Sequence, residues 1–281
     1  MNYRHAFHAG NFADVHKHVV LVAILARLMR KPTPLFFLDT HAGPGLYDLH
    51  SDEANRSDEW RDGIGRLHGV SPKTEDLKGY LDVASAAAEK TTRQFRKYAG
   101  SPVLALNALR AIDRVVLVEQ LPMEARALEK ALPRRRGVSV INGDGYALLK
   151  AYLPPKENRG LVLIDPPYEA DDEFDNVENA LTFGLTRWPN GVFAAWYPIK
   201  ADGSSRRFHG AMLKSGLKKL LLLELNLRPT DSPTGLNGSG LLIANPPWQL
   251  DIAMRDALDE LLHVLSPDKT GNVRIEWLVG E

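Results

Sequence analysis

The sequence predicts an α/β fold: a Rossmann-like, mainly parallel seven-stranded sheet with an antiparallel edge and helices on both faces. Three observations predict it. Short apolar runs alternate with helix-prone segments along most of the chain, the pattern of strands joined by helical crossovers. The runs are continuously apolar, as strands buried on both faces require. Several end at an acid or a glycine-containing loop, the place where open parallel sheets bind ligands.

Taken in order, a helix is expected from near Asn11 to Arg30. Asn11 serves as its cap, Asp14 lies in its first turn, and Val15, Val19, Leu21, Val22, Ile24, Leu25 and Leu28 form its apolar body. Lys31-Pro32-Thr33-Pro34 ends it. Buried strands are expected over 35–39, 115–119, 138–142, 161–165, 192–197, 220–225 and 241–245. Helices are expected over 123–132, 145–153, 174–186 and 206–218. The connection 225–241 has turn residues and no helical period, so a hairpin would give the sheet its antiparallel edge. A helix near 250–265 and a short strand over 272–278 complete the chain.

Roughly 70 residues separate the first two core strands, far more than one crossover helix needs. Residues 48–100 are polar and helix-prone, with helices expected over 73–81 and 83–98. We read this stretch as an inserted helical subdomain of a single domain spanning 1–281. Whether it serves the substrate or is a surface elaboration stays open at this level.

The chain has 281 residues, 44% of them hydrophobic, which supports a full globular core. It has no cysteine, which excludes disulfides and cysteine-ligated zinc. No apolar run approaches the roughly 20 residues a bilayer requires. No signal-peptide pattern opens the chain. A cytoplasmic protein without membrane contact is the expectation, and a monomer. The 35 basic residues balance 35 acidic ones, unlike a protein that coats nucleic acid. Local basic clusters remain, at Arg93, Arg96 and Lys97, at Arg134–Arg136 and at Arg206 with Arg207.

Asp39-Thr40-His41-Ala42-Gly43-Pro44-Gly45 follows the first strand. Gly43 and Gly45 permit close backbone approach to a ligand. A dinucleotide loop would need a third glycine where Asp48 stands, and Pro44 removes an amide that a pyrophosphate would use. The second strand ends in Glu119, suited to the hydroxyls of a ribose. The third ends near Asp144, suited to an adenine amine. Any one terminal acid is commonly a cap or turn former; three at corresponding positions point to one nucleotide-like cofactor.

Two turns share the pattern (Asp or Asn)-Pro-Pro-aromatic: Asp165-Pro166-Pro167-Tyr168 and Asn245-Pro246-Pro247-Trp248. Proline ends a strand because it cannot donate to the ladder. The first turn closes the fourth core strand, beside the first-strand loop, and is taken as the catalytic one. The second closes the last core strand towards an edge, and is read as a terminator with a packed tryptophan. The Asp165 carboxylate and the Pro166 carbonyl would accept from an exocyclic amine, and Tyr168 would stack on a flipped base. With the upstream loop, this suggests S-adenosylmethionine as cofactor and an amino group of a nucleobase as acceptor. The chemistry requires no metal.

Beyond these motifs, Tyr-Arg-His-x-Phe-His-Ala-Gly-Asn, Asp-Val-x-Lys-His, Leu-Asp-Thr-His-Ala-Gly and Ile-Asp-Pro-Pro-Tyr resemble the bacterial 23S rRNA adenine-N6 methyltransferase J family. The resemblance covers nearly the whole chain. It implies class I methyltransferase chemistry on one adenine of 23S rRNA, with Asp165 as the catalytic residue. It also implies that His18, His41, Ser101, Glu119, Asp144 and Gly145 line the cofactor site and that Tyr3 touches the substrate. His41 stands where the broader class commonly has an aromatic. Three readings exist for the cluster of His5, His8, His16 and His18: metal ligands, ordinary core or surface residues, or cofactor and RNA contacts. The third follows from the resemblance. His16 and His18, two apart, face different sides of a helix, against a shared metal. Competing readings of the whole chain are a DNA adenine-N6 methyltransferase and a non-catalytic nucleic-acid-binding protein.

Overall fold

The computed structural model describes residues 5–87, 96–233, 235–266 and 270–280. Helix α1 (Phe12–Leu28) is capped as its sequence requires: the Asn11 side chain accepts from the N–H groups of Ala13 and Asp14, both at 3.0 Å. Nearly every side chain of α1 is buried, polar ones included, because both its sides are covered.

The main sheet has eight strands, one more than the sequence predicts. They are β1 (Phe36–Asp39), β4 (Arg114–Glu119), β5 (Val138–Asn142), β6 (Gly160–Ile164), β7 (Val192–Ile199), β8 (Leu220–Asn226), β9 (Gly238–Ala244) and β10 (Asn272–Val279). Their order is β10-β8-β9-β7-β6-β1-β4-β5. The five strands from β7 to β5 are parallel, and β9, β8 and β10 are each antiparallel to their neighbours. The expected β8–β9 hairpin forms. The eighth strand is the C-terminal one: β10 joins β8, and Arg274 pairs across the strands with the buried Glu224 at 3.2 Å.

Successive strand residues point to opposite faces. Phe37, Val115, Leu117, Leu161 and Leu163 meet α1, α5 (Ser101–Ala108) and α10 (Leu250–Leu265). Phe36, Leu38, Val116, Val162 and Ile164 meet α7 (Gly145–Tyr152), α8 (Glu173–Arg187) and α9 (Ser204–Lys214) on the other side. No helix among the described residues is long and apolar enough to cross a membrane.

The region between β1 and β4 differs most from expectation. One helix, α4 (Glu75–Ala87), runs through the boundary drawn between two helices. The predicted helix 83–98 falls partly outside the described residues, and Lys97–Ala99 forms strand β3, paired antiparallel with β2 (Leu46–Asp48). Leu77 and Tyr80 of α4, with Trp60 and Ile64, join the core beneath α1. Arg27 of α1 pairs with Asp76 at 2.6 Å, and the Lys73 and Thr74 amides donate to Glu260 of α10. The sequence reading missed α5, although Gly100-Ser101-Pro102 ahead of an apolar run is a helix-start signal. Helix α9 stops at Lys214, before Lys218, because Gly216 turns the chain at φ +78°.

Candidate active site

The carboxyl ends of β6, β1, β4 and β5 open on one edge, with β1 between β6 and β4. The loop after β1 crosses β4: the Ala42 amide donates to the Val118 carbonyl at 2.8 Å and the Gly43 amide to Glu119 Oε2 at 2.9 Å. Gly43 has φ +63°, and a Cβ there would lie 2.4 Å from the Tyr47 hydroxyl. Glu119 Oε1 accepts from the Leu121 amide at 2.7 Å, and burial raises the pKa of this carboxyl. Each oxygen thus uses one of its acceptor positions on the backbone and keeps another.

Asp144 caps α7, accepting from the Tyr146 and Ala147 amides at 2.8 and 3.1 Å. Gly145 opens that helix so close to the β1 loop that a Cβ would sit 2.1 Å from the Thr40 carbonyl. Loop 39–45, Glu119 and Asp144 therefore form one wall. Asp39 is turned inward and fully buried, accepting from Ser101 Oγ at 2.6 Å and from the His41 amide at 3.2 Å. Burial pushes its pKa up to about 7. Ser101, which pattern alone did not select, is placed here by α5.

The histidines separate as their spacing requires. His18 Nδ1 meets the Tyr98 hydroxyl of β3 at 2.6 Å, whereas His16 Nδ1 meets Ser239 of β9 at 2.9 Å. Burial holds both neutral, each near pKa 3. His41 lies edge-on to Tyr146, with ring centroids 5.1 Å apart, and burial lowers its pKa to about 4. Among the described residues, no three His, Cys, Asp or Glu side chains could hold a metal ion. Neutral imidazoles beside Glu119 and Asp144, around a loop closed by glycines, fit a neutral ribose and purine with a cationic tail.

Asp165 follows β6 and is 14% exposed. Its Oδ2 is ion-paired with Lys17, a buried residue that the sequence reading had not selected. Lys17 also reaches Asp14 Oδ1 at 2.9 Å. Asp14 in turn holds the N-terminal turn, accepting from the Gly10 amide at 3.0 Å and contacting His5 Nε2 at 2.9 Å. Lys17 lies within the Asp-Val-x-Lys-His motif, but the helical period gave no sign that it faces a carboxylate on a distant strand.

Tyr168 takes φ +52° and donates its hydroxyl to the Trp196 carbonyl at 2.7 Å. Its ring lies 4.7 Å from Phe174 and 5.6 Å from Trp196. The Trp196 indole N–H is anchored to Ser239 Oγ at 2.9 Å, and its ring lies 5.7 Å from the Lys17 ammonium. A cavity of about 580 Å³ opens beside Tyr168, lined also by Phe174, Phe208, Lys200 and Arg207.

The second Pro-Pro turn is elsewhere. Ala244 pairs with Phe193 near the start of β7, so Asn245 lies at the opposite edge of the sheet. Its amide donates to the Pro189 and Gly191 carbonyls at 2.8 and 2.9 Å. Trp248 is 81% exposed rather than packed, because this turn stands beyond the last core layer. Tyr3 and Arg93 lie outside the described residues.

A mainly parallel sheet with this order, a glycine loop after its central strand and an antiparallel edge defines the class I, Rossmann-like methyltransferase fold. Residues 32–279 match the family described as Ribosomal RNA large subunit methyltransferase D, RlmJ, and the chain belongs to that family. It is 40% identical to the Ribosomal RNA large subunit methyltransferase J of Haemophilus influenzae and 37% identical to that of Escherichia coli, over 100% of each chain. A crystal structure of a Legionella pneumophila protein, 34% identical, superposes with a TM-score of 0.86 over 96% of this chain and 98% of that one.

Proposed function

We propose that this protein is a cytoplasmic S-adenosylmethionine-dependent methyltransferase that modifies the N6 amine of one adenine in 23S rRNA. Membership of the family over residues 32–279 supports the rRNA substrate. The observation that carries the chemistry is the meeting of Asp165 with the 39–45 loop at the same end of the neighbouring strands β6 and β1.

When bound, S-adenosylmethionine supplies a methyl group activated on a sulfonium. The protein's part is placement and charge. Glu119 would accept the ribose hydroxyls and Asp144 the purine amine, while Ser101, Gly145, His18 and His41 complete the wall. Asp39 aligns Ser101 and the loop. On the RNA side, the Asp165 carboxylate and the Pro166 carbonyl would accept the two N–H groups of the adenine amine, and Asp165 would take the departing proton. These acceptors counter the delocalisation of the nitrogen lone pair into the ring and aim it at the methyl group. Lys17 holds the Asp165 carboxylate in place, and Tyr168, fixed by Trp196, walls the extruded base. Tyr3 would contact the RNA. Residues 48–100 act as an inserted subdomain that braces the N-terminal turn: Glu59 takes His8 at 2.9 Å and the Asn11 amide at 2.9 Å, and the Ile64 amide donates to the Gly10 carbonyl at 2.8 Å.

Transfer of a tritiated methyl group to protein-free 23S rRNA and to duplex DNA tests the proposal. Label in the RNA is expected, and label confined to DNA would refute it. Mass spectrometry of 23S rRNA from cells with and without the protein should place one N6-methyladenosine. Asp165→Ala should abolish transfer while retaining binding of S-adenosylhomocysteine.

A further inference from the structure

Thr40 Oγ1 lies 3.0 Å from the Leu163 carbonyl and 2.8 Å from His41 Nδ1. A hydroxyl has one hydrogen, and a carbonyl only accepts. Both contacts are hydrogen bonds in a single arrangement: Thr40 donates to Leu163, and His41 Nδ1–H donates to Thr40. If Thr40 donated to the ring instead, its oxygen would face the Leu163 oxygen across 3.0 Å with no hydrogen between them. The imidazole is neutral, held near pKa 4 by burial, so a proton on Nδ1 leaves Nε2 bare. No hydrogen bond to Nε2 occurs among the described residues, and the ring is half-buried, with Tyr146 fixing its edge.

The lone pair on Nε2 stands in a negative setting. Asp165 and Asp144 both act electrostatically on the His41 ring, and its own amide rests on Asp39. An acceptor among carboxylates attracts a cation and repels an anion. The carbonyl that sets the tautomer belongs to β6, the strand that ends at Asp165, so the strand carrying the acid also sets the polarity of the loop after β1.

We propose that Thr40 is a positioning residue that fixes His41 as a hydrogen-bond acceptor, and that His41 Nε2 receives a positively charged part of the methyl donor, its α-ammonium or its sulfonium. This rests on the S-adenosylmethionine reading above. It also gives a reason for histidine at a position the broader class commonly fills with an aromatic: an aromatic offers shape, whereas this imidazole adds a directed lone pair.

Calorimetry on the full chain distinguishes the two cations, using S-adenosylmethionine, S-adenosylhomocysteine and S-adenosylhomocysteine lacking its α-amino group. If the ammonium is the partner, the wild type binds S-adenosylhomocysteine roughly tenfold to a hundredfold more tightly than the deaminated analogue, and His41→Phe erases that ratio. If the sulfonium is the partner, the wild type prefers S-adenosylmethionine to S-adenosylhomocysteine, and His41→Phe erases that preference. Ratios unchanged by His41→Phe overturn the proposal. Thr40→Val should reduce the same ratio and Thr40→Ser should keep it; a Thr40→Val ratio equal to the wild type's removes the positioning role. Should Thr40→Val fail to fold, ring ¹⁵N shifts of the wild-type protein decide: Nδ1–H is expected, and Nε2–H refutes the assignment. A wild type that binds none of the three ligands would sink the donor reading itself, an outcome distinct from unchanged ratios.

Discussion

Lys17 of the first helix is ion-paired with Asp165, 148 residues further along the chain, and one ammonium thereby ties the N-terminal helix to the turn after β6. Burial opposes the charge on Lys17, but Asp14 and Asp165 together outweigh that and hold its pKa above the ordinary lysine value. Removing the ammonium would leave two carboxylates near one another with no counter-charge. Lys17→Met should destabilise the protein by about 3–5 kcal/mol. It should also slow methyl transfer in the molecules that remain folded. Urea unfolding and single-turnover transfer measure the two effects, and wild-type values in both would remove Lys17 from the site.

The two Pro-Pro turns make opposite predictions. Asn245 forms only local backbone contacts at the far edge of the sheet. Asn245→Ala should lower stability by about 1–3 kcal/mol through two orphaned carbonyls and leave transfer intact. A folded but inactive Asn245→Ala protein would show that the wrong turn has been assigned to catalysis.

Gly145 is fixed by contact rather than by φ, since a Cβ would meet the Thr40 carbonyl at 2.1 Å. Gly145→Ala must move α7 away from the β1 loop. The expected result is a loss of about 1–3 kcal/mol in stability, as for overpacking elsewhere. Weaker binding of S-adenosylhomocysteine should accompany it. Thermal melting and calorimetry would detect both, and unchanged affinity would place the cofactor away from this contact.

The His8–Glu59 pair predicts a pH dependence. A hydrogen bond from Glu59, with its charge, raises the His8 pKa above 6.5 despite partial burial. A raised folded-state value means that the contribution is complete below pH 6.5 and disappears as pH climbs through the raised value. NMR titration of His8 should give a midpoint above 6.5, and Glu59→Gln should return it towards 6.5 and flatten stability across that window. A midpoint indifferent to Glu59→Gln would disprove the coupling.

Much of the fold was legible because its signals are local. The Asn11 cap, the apolar runs of the core strands and the glycines after β1 each declare themselves within a few residues. The same holds for Asp165, Glu119 and Asp144, acids that immediately follow or end apolar runs. The β2–β3 pairing was not legible: each strand has three residues, and their pairing spans the whole insertion. Nor was Ser101, whose place depends on Asp39, a residue 62 positions earlier.

The sequence by itself determined which segments are strands, which turns end them and which family the chain resembles, since backbone propensity and motif spacing act over short range. Tertiary structure alone decided the strand order that sets Asp165 beside the β1 loop and sends Asn245 to the opposite edge. It also decided that Lys17 faces Asp165 and that a carbonyl of β6 holds the proton of Thr40 and, through it, the lone pair of His41. Those relationships depend on direction and distance between strands far apart in sequence, and no local pattern encodes them.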